Sequence, residues 1–241
     1  MKIAVIPARG GSKRIPRKNV RPFHGRPMIA WPIAAALETG LFDHVVVSTD
    51  DPDIAETAIA AGATAPFLRP ADLADDFTGV IPVIKHAMRA MEAETGAPAE
   101  LVCAIYATAP FLSAADIARG HDALRAAPQQ DYAISVTPFA FPVQRALKAV
   151  HSESGPGLAP MYPEFIRSRS QDLEEAFHDA AQFFWCRPKA LEAEAPVFSP
   201  RSIPITIAPE RVQDIDTEYD WRRAELMFQA LRADDADAAQ R

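Results

Sequence analysis

Two clusters of side chains in this chain could do chemistry. The first is Arg9-Gly10-Gly11-Ser12-Lys13, followed by Arg14, Arg17 and Lys18. Consecutive small residues let backbone N–H groups approach phosphate oxygens, and the neighbouring cations add charge. The second is Gln213-Asp214-Ile215-Asp216. On an extended backbone residues i and i+2 face the same side, so both carboxylates can reach one hard cation. Mg²⁺ takes one or two carboxylates, several waters and substrate phosphates. A cationic cradle and a carboxylate pair together point to triphosphate chemistry. The cradle is neither a dinucleotide fingerprint nor a P-loop, because G-x-G-x-x-G and G-x-x-x-x-G-K-[ST] are both absent. Asp50 and Asp51 form another acidic pair. Asp51 is predicted to cap a helix, and Asp50 has no assigned role.

Charge supports the cradle. Residues 9–26 carry seven of the 25 basic residues and no acidic one, in a protein of net charge −7. An acidic chain with one concentrated cationic loop suits a small polyanion and not general nucleic-acid binding. The 241 residues, 49% hydrophobic and 24% charged, fit a soluble α/β domain with at most an appendage. No apolar run reaches the roughly 20 residues of a membrane span, and no apolar leader is evident. A cytoplasmic protein is expected. Cys103 and Cys186 lie in apolar stretches with no metal-ligand spacing, which predicts buried free thiols.

The elements that must position these residues follow from the pattern. Strands are predicted at 3–7, 45–48, 63–67, 101–106, 132–137, 183–186 and 203–207. Helices are predicted from Pro27 to Thr39, from Asp51 to Ala61, from Thr78 to before Gly96, from Ser113 to Ala126, and from Thr217 to Leu231. Pro32 is tolerable only if the regular turns of the first helix begin near Ile29. Asp51, Thr78, Ser113 and Thr217 are the predicted N-caps. Phe183, Phe184 and Trp185 are read as strand core, and His86 as structural. The fold class is α/β, a mostly parallel sheet with helices on both faces. Ligands bind beyond the carboxyl ends of such strands, where the cationic loop begins. The core is expected over 1–138 and 183–231, interrupted by a proline-rich insertion at 139–182. Residues 232–241 are expected to form a disordered tail.

Ile6-Pro7-Ala8-Arg9-Gly10-Gly11-Ser12-Lys13, Ile15-Pro16 and Lys18-Asn19 resemble the first motif of the CMP-nonulosonic acid (CMP-sialic acid) synthetase family. Val47-Ser48-Thr49-Asp50, Leu68-Arg69-Pro70 and Gln213-Asp214-Ile215-Asp216-Thr217-Glu218 follow in that family's order. The resemblance spans about residues 2–231. Ala74–Gly79, Ile105–Pro110, Ser170–Leu173 and Ala176–Asp179 are most similar to the branch that activates pseudaminic acid. N-acylneuraminate enzymes usually have Gln-Pro-Thr-Ser-Pro where this chain has Tyr106–Pro110.

The resemblance implies a nucleotide-diphospho-sugar transferase-like fold and an Mg²⁺-dependent transfer of CMP from CTP to a nonulosonic acid, for surface glycan or flagellin glycosylation. N-acylneuraminate and legionaminate are alternative acids, and a non-catalytic nucleotide-binding regulator is the alternative class. By resemblance, Ala8, Arg9, Gly10, Gly11, Ser12, Lys13 and Lys18 would hold the triphosphate. Asn19 and Arg69, with Thr78, would read cytosine. Asp214 and Asp216 would bind Mg²⁺ and, with Lys18, serve catalysis. Tyr106, Thr108, Gln171, Phe177, His178, Asp179 and Gln182 would line the sugar pocket. The insertion would form a homodimer and close the sugar site.

Overall fold

Ile3, Ala4, Val5 and Ile6 are fully buried in β1 (Lys2–Pro7). Such a strand needs cover on both faces, as parallel strands under helices have. The computed structural model describes residues 1–75 and 77–238, and side chains as far as Ala233. Asp76, in the stretch Ala74–Gly79, and residues 239–241 of the expected tail lie outside them.

β2 (Pro22–Phe23) and β3 (Arg26–Pro27) form a small antiparallel hairpin that the sequence reading missed. Its turn residues His24 and Gly25 have φ of 47° and 81°. Positive φ at both central positions twists a two-residue turn the way antiparallel strands twist. Pro27 therefore belongs to β3 and does not open the first helix. α1 (Ala30–Glu38) starts later, and its Ile33 N–H bonds back to Ile29 O at 3.3 Å. Pro32 falls within the first turn, where no intrahelical N–H bond is needed.

β4 (His44–Ser48) leads into α2 (Pro52–Ala60), capped as expected by Asp51, whose Oδ1 accepts from Asp53 N at 2.9 Å. The strand predicted at 63–67 is reduced to isolated bridges, Val46 to Thr64 and Thr49 to Leu68. α3 (Val80–Thr95) is preceded by Gly79 as N-cap, not Thr78. The Thr78 hydroxyl instead donates to Asp72 O. β5 (Leu101–Ile105) is wholly buried. α4 (Ala114–Ala126) is capped by Ser113 as predicted, and β6 (Tyr132–Pro138) follows.

The insertion contains a separate antiparallel hairpin of β7 (Leu147–Ser152) and β8 (Gly155–Pro160). β9 (Phe177–Cys186) starts inside the expected insertion, because Phe177, His178 and Asp179 already pair with Pro138, Thr137 and Val136. Residues 177–182 thus belong to the core sheet. α5 (Pro188–Glu192), β10 (Ser202–Thr206) and α6 (Glu218–Ala238) complete the chain. α6 continues past Leu231, where the tail was expected to begin.

The main sheet has the order β10-β6-β9-β5-β1-β4. Its strands are parallel except β9, which runs antiparallel between β5 and β6. Two apolar layers cover its faces. One contains Ile33, Ile117 and Trp185, and the other Ile84, Met88 and Phe184. Phe183, Phe184 and Trp185 are core, as expected, and both cysteines are buried free thiols. A third apolar cluster of Ile15, Phe23, Met28, Phe111, Ile215, Trp221 and Phe228 joins the cationic loop to α6. Among the described residues no helix is long and apolar enough to cross a membrane.

Candidate active site

The cationic loop leaves β1 beside the end of β4, with Ala8 N–H on Ser48 O at 2.9 Å. Gly10 N–H donates to Asp50 Oδ1 at 3.0 Å, which gives Asp50 a role in shaping the loop. A Cβ on Gly10 would lie 2.6 Å from Asp51 Oδ2, so glycine is required there. Gly11 is exposed and has nothing within 4 Å of the same construction. Asn19 Nδ2 donates to Arg9 O at 3.0 Å and so braces the loop.

The far half of the loop is tied to the segment carrying Asp214 and Asp216. Lys18 Nζ donates to Ile215 O and lies 3.5 Å from Asp216 Oδ1. Arg14 pairs with Asp216 at 2.9 Å and Arg21 with Glu218 at 2.6 Å. The Arg21 guanidinium also sits 4.3 Å over the Trp221 ring. Exposed pairs of this kind add little stability alone. Backed by the third apolar cluster, they set the loop against the carboxylates across nearly 200 residues of sequence. Arg17 points elsewhere and pairs with Asp53.

Three cavities line this edge of the sheet. The first, about 230 Å³, is walled by Arg9, Arg69, Thr78, Val83 and Tyr106. The second, about 410 Å³, shares Pro7, Arg9 and Tyr106 with it and adds Ser12, Lys13, Lys18, Asn19, Thr108 and Asp216. The third, about 350 Å³, contains Thr137, His178, Asp179, Asp214 and Arg223. The structure therefore brings Arg69 and Thr78 to one cavity and Asn19 to its neighbour. Asn19 is placed with the phosphate-loop residues rather than beside Arg69.

Arg69 is only 7% exposed. Its Nε donates to Ser48 Oγ at 3.2 Å and its Nη2 to Ser48 O. Burial lowers its pKa, and the nearby Asp50 charge opposes that shift. Among the described residues its hydrogen bonds go to neutral Ser48 oxygens, so much of its charge stays available to a ligand.

Asp214 is the least compensated acid of the site. Burial raises its pKa first, Asp216 next, with smaller contributions from Asp179 and Asp220, while Lys18 lowers it. Among the described residues no side chain pairs with its carboxylate. Asp179 is likewise raised by burial, although Ala181 N–H donates to its Oδ1 at 2.8 Å. Burial, then Asp179 and Asp214, push the Tyr106 hydroxyl up to about 12. Among the described residues no group of three or more His, Cys, Asp or Glu side chains could hold a metal. Two carboxylates with solvent and phosphate oxygens suit Mg²⁺ nonetheless, and the uncompensated charge on Asp214 fits a cation there.

The remaining predicted sugar residues scatter. Gln171 is exposed in a short turn at Ser170–Asp172 and lines none of the three cavities, nor does the exposed Phe177. Gln182 is buried and donates through Nε2 to Arg211 O at 2.6 Å, bracing the turn at Pro209–Arg211. Arg211 in turn pairs with the buried Asp116. Burial opposes the Asp116 charge, but Ser113, Arg119 and Arg211 outweigh it and lower its pKa. Sequence reasoning missed Ser48, Thr137 and Arg223. Ser48 and Thr137 end strands, where a site residue is indistinguishable from a core one, and Arg223 is one of several cations on α6.

Residues 3–153 match the family described as "Cytidylyltransferase". The chain is 37% identical to the pseudaminic acid cytidylyltransferase of Campylobacter jejuni, over 94% of this chain and 95% of that one. It is 52% identical to a CMP-N,N'-diacetyllegionaminic acid synthase of Legionella pneumophila, over 33% of this chain and 34% of the relative. The fold is similar to that of a CMP:2-keto-3-deoxy-manno-octonic acid synthetase complexed with CTP, with TM-score 0.68, 18% identity and coverage of 95% and 98% of the two chains. A family match over most of the chain, and a relative matched nearly end to end, meet the site already described: this chain belongs to the cytidylyltransferase family.

Proposed function

We propose that the protein is a pseudaminic acid cytidylyltransferase, converting CTP and the sugar acid to CMP-sugar and pyrophosphate. The observation that carries this reading is the distribution of the buried arginine, the cationic loop and the two acids among three cavities. The small cavity with the buried arginine shares Pro7, Arg9 and Tyr106 with the cationic one, which Asp216 lines, and Asp214 lines the third. Base, triphosphate and sugar acid fill them in that order. The nearly full-length relative supplies the sugar.

Arg9, Ser12, Lys13 and Lys18 hold the triphosphate. The sugar's anomeric hydroxyl gives its proton to solvent and bonds to the α-phosphorus, while the bond to the β-phosphate oxygen breaks and pyrophosphate leaves. Holding both reactants in line is the larger part of such catalysis. Asp214 and Asp216 would hold Mg²⁺, which when bound orients the phosphates and offsets charge on the leaving group.

Pyrophosphate release with CTP, Mg²⁺ and a panel of pseudaminate, legionaminate and N-acetylneuraminate tests this. Highest kcat/KM on pseudaminate is expected. Preference for another acid overturns the sugar assignment. No turnover with any acid, together with CTP binding, leaves the regulator.

The insertion is proposed to form a homodimer. Phe141 is 83% and Leu158 71% exposed, and Leu147, Met161 and Ile166 are exposed beside them. A lone two-stranded hairpin is marginal in water, and this much apolar surface needs cover. A two-fold exchange supplies it with a second copy of the same surface. Light scattering at micromolar concentration should give about twice 26.3 kDa. A monomer with full activity means that the segment folds over its own site.

A further inference from the structure

Asp116 is 4% exposed, yet its carboxylate meets three donors. Ser113 Oγ donates to its Oδ2 at 2.6 Å, Arg119 pairs with Oδ1 and Arg211 with Oδ2. Arg119 Nη2 also donates to Thr206 O at 2.9 Å, at the end of β10. The carboxylate thereby joins the start of α4, the end of β10 and the turn at Pro209–Arg211. Arg211 is held at both ends, since its guanidinium meets Asp116 and its carbonyl accepts from the buried Gln182. A buried ion pair is a poor device for stability alone, because apolar side chains of similar volume often serve as well or better. What it can add is one fixed arrangement.

The arrangement fixed here leads into the site. Residues 212–217 belong to no strand or helix, so no ladder of backbone bonds sets their course. Downstream, Ile215 is fully buried in the third apolar cluster, and Arg14 and Lys18 pair with Asp216. Asp220 Oδ2 accepts from the N–H groups of Asp216 and Thr217. Asp214 lies upstream of all these holds, three residues after Arg211. Neither Arg211 nor Asp116 lines any of the three cavities, so an effect of the pair on the site runs through the backbone. We infer that Arg211, clamped by Asp116, is a positioning residue that sets where the Asp214 carboxylate stands. This rests on the reading of Asp214 as a cation ligand in the proposed function.

Arg211→Met, and the double variant Asp116→Leu with Arg211→Met, test it. Asp116 keeps Ser113 and Arg119 in the single variant, which should therefore fold. Mn²⁺ stands in for Mg²⁺, and its binding is read by electron paramagnetic resonance with CTP present and no sugar. Both variants should bind Mn²⁺ about tenfold more weakly than wild type, the lower end of the cost of losing an outer support of a metal ligand. CTP binding without metal should stay within about twofold, as for a site distant from the change. The melting temperature should fall in Arg211→Met, which leaves Asp116 short of a partner, and recover in the double variant, which removes the buried charge. A recovered fold without recovered Mn²⁺ binding is the expected signature. Wild-type Mn²⁺ affinity in either variant overturns the inference and makes the pair structural only. Equal losses of Mn²⁺ binding and of metal-free CTP binding also overturn it, as a general disturbance of the site. Mn²⁺ binding to the otherwise wild-type protein that Asp214→Asn leaves unchanged overturns the cation-ligand reading and this inference together.

Discussion

Asp214→Asn should lower turnover by about 10²- to 10³-fold, the range for removing one fixed electrostatic partner of a transition state. Fold stability should not suffer. The Asp214 side chain is exposed, and partial desolvation together with Asp216 raises its pKa above 3.8. A carboxylate raised in the folded state favours folding while protonated, and that advantage is lost as pH rises through its folded value. Above that value the ionised group burdens the metal-free fold, and asparagine removes the burden. The metal-free variant should therefore melt at or above the wild-type temperature at pH 7, with the difference vanishing below about pH 3.8, where both side chains are neutral. Thermal melts across pH, with turnover in millimolar Mg²⁺, check both halves. Near wild-type turnover would remove Asp214 from the metal role. A lower melting temperature at pH 7 would mean that the carboxylate is structural. Asp216 is a less clean probe, since Arg14 and Lys18 already pair with it and its loss also loosens the loop.

Arg69→Met should cost about ten- to a hundredfold in kcat/KM for CTP, the worth of a charged hydrogen bond in a buried site. It should cost little for UTP. A guanidinium has donors only. The pairing edge of cytosine presents two adjacent acceptors, whereas uracil places an N–H donor at one of those positions. Ser48 occupies Nε and one Nη2 bond, so the orientation of the remaining donors is set by the end of β4. Wild type should accordingly favour CTP over UTP, and the variant should lose that ratio mainly through CTP. Steady-state kinetics with both nucleotides decide it. Equal use of CTP and UTP by wild type, or equal losses in the variant, would assign Arg69 to the fold rather than to the base.

Local chemistry made much of this protein readable beforehand. The strand at 3–7, the caps at Asp51 and Ser113, the helix after Thr217 and the core aromatics Phe183–Trp185 follow from apolar runs and short polar spacings, which act within a few residues. Pro27 was misplaced because proline suits both a first helical turn and a strand end, and the His24–Gly25 turn decided between them. The hairpin of β7 and β8 carries glycine, proline and lysine where alternation would otherwise mark strands, so its pairing shows only in three dimensions.

Short-range patterns of residues suffice for the α/β class, the cationic loop at the end of the first strand and the carboxylates at 214 and 216. Each of these is a property of neighbouring residues. Which cavity each residue lines depends on long-range packing. Arg69 and Asn19 part company because Ser48 claims one and Arg9 O the other. Lys18 meets Asp216 only because an apolar cluster packs the loop onto α6. Thr137 comes to line the third cavity because β9 inserts antiparallel beside β6 and pairs His178 with it. Such contacts join residues far apart in the chain, and the burial that fixes them depends on the packing of the whole sheet.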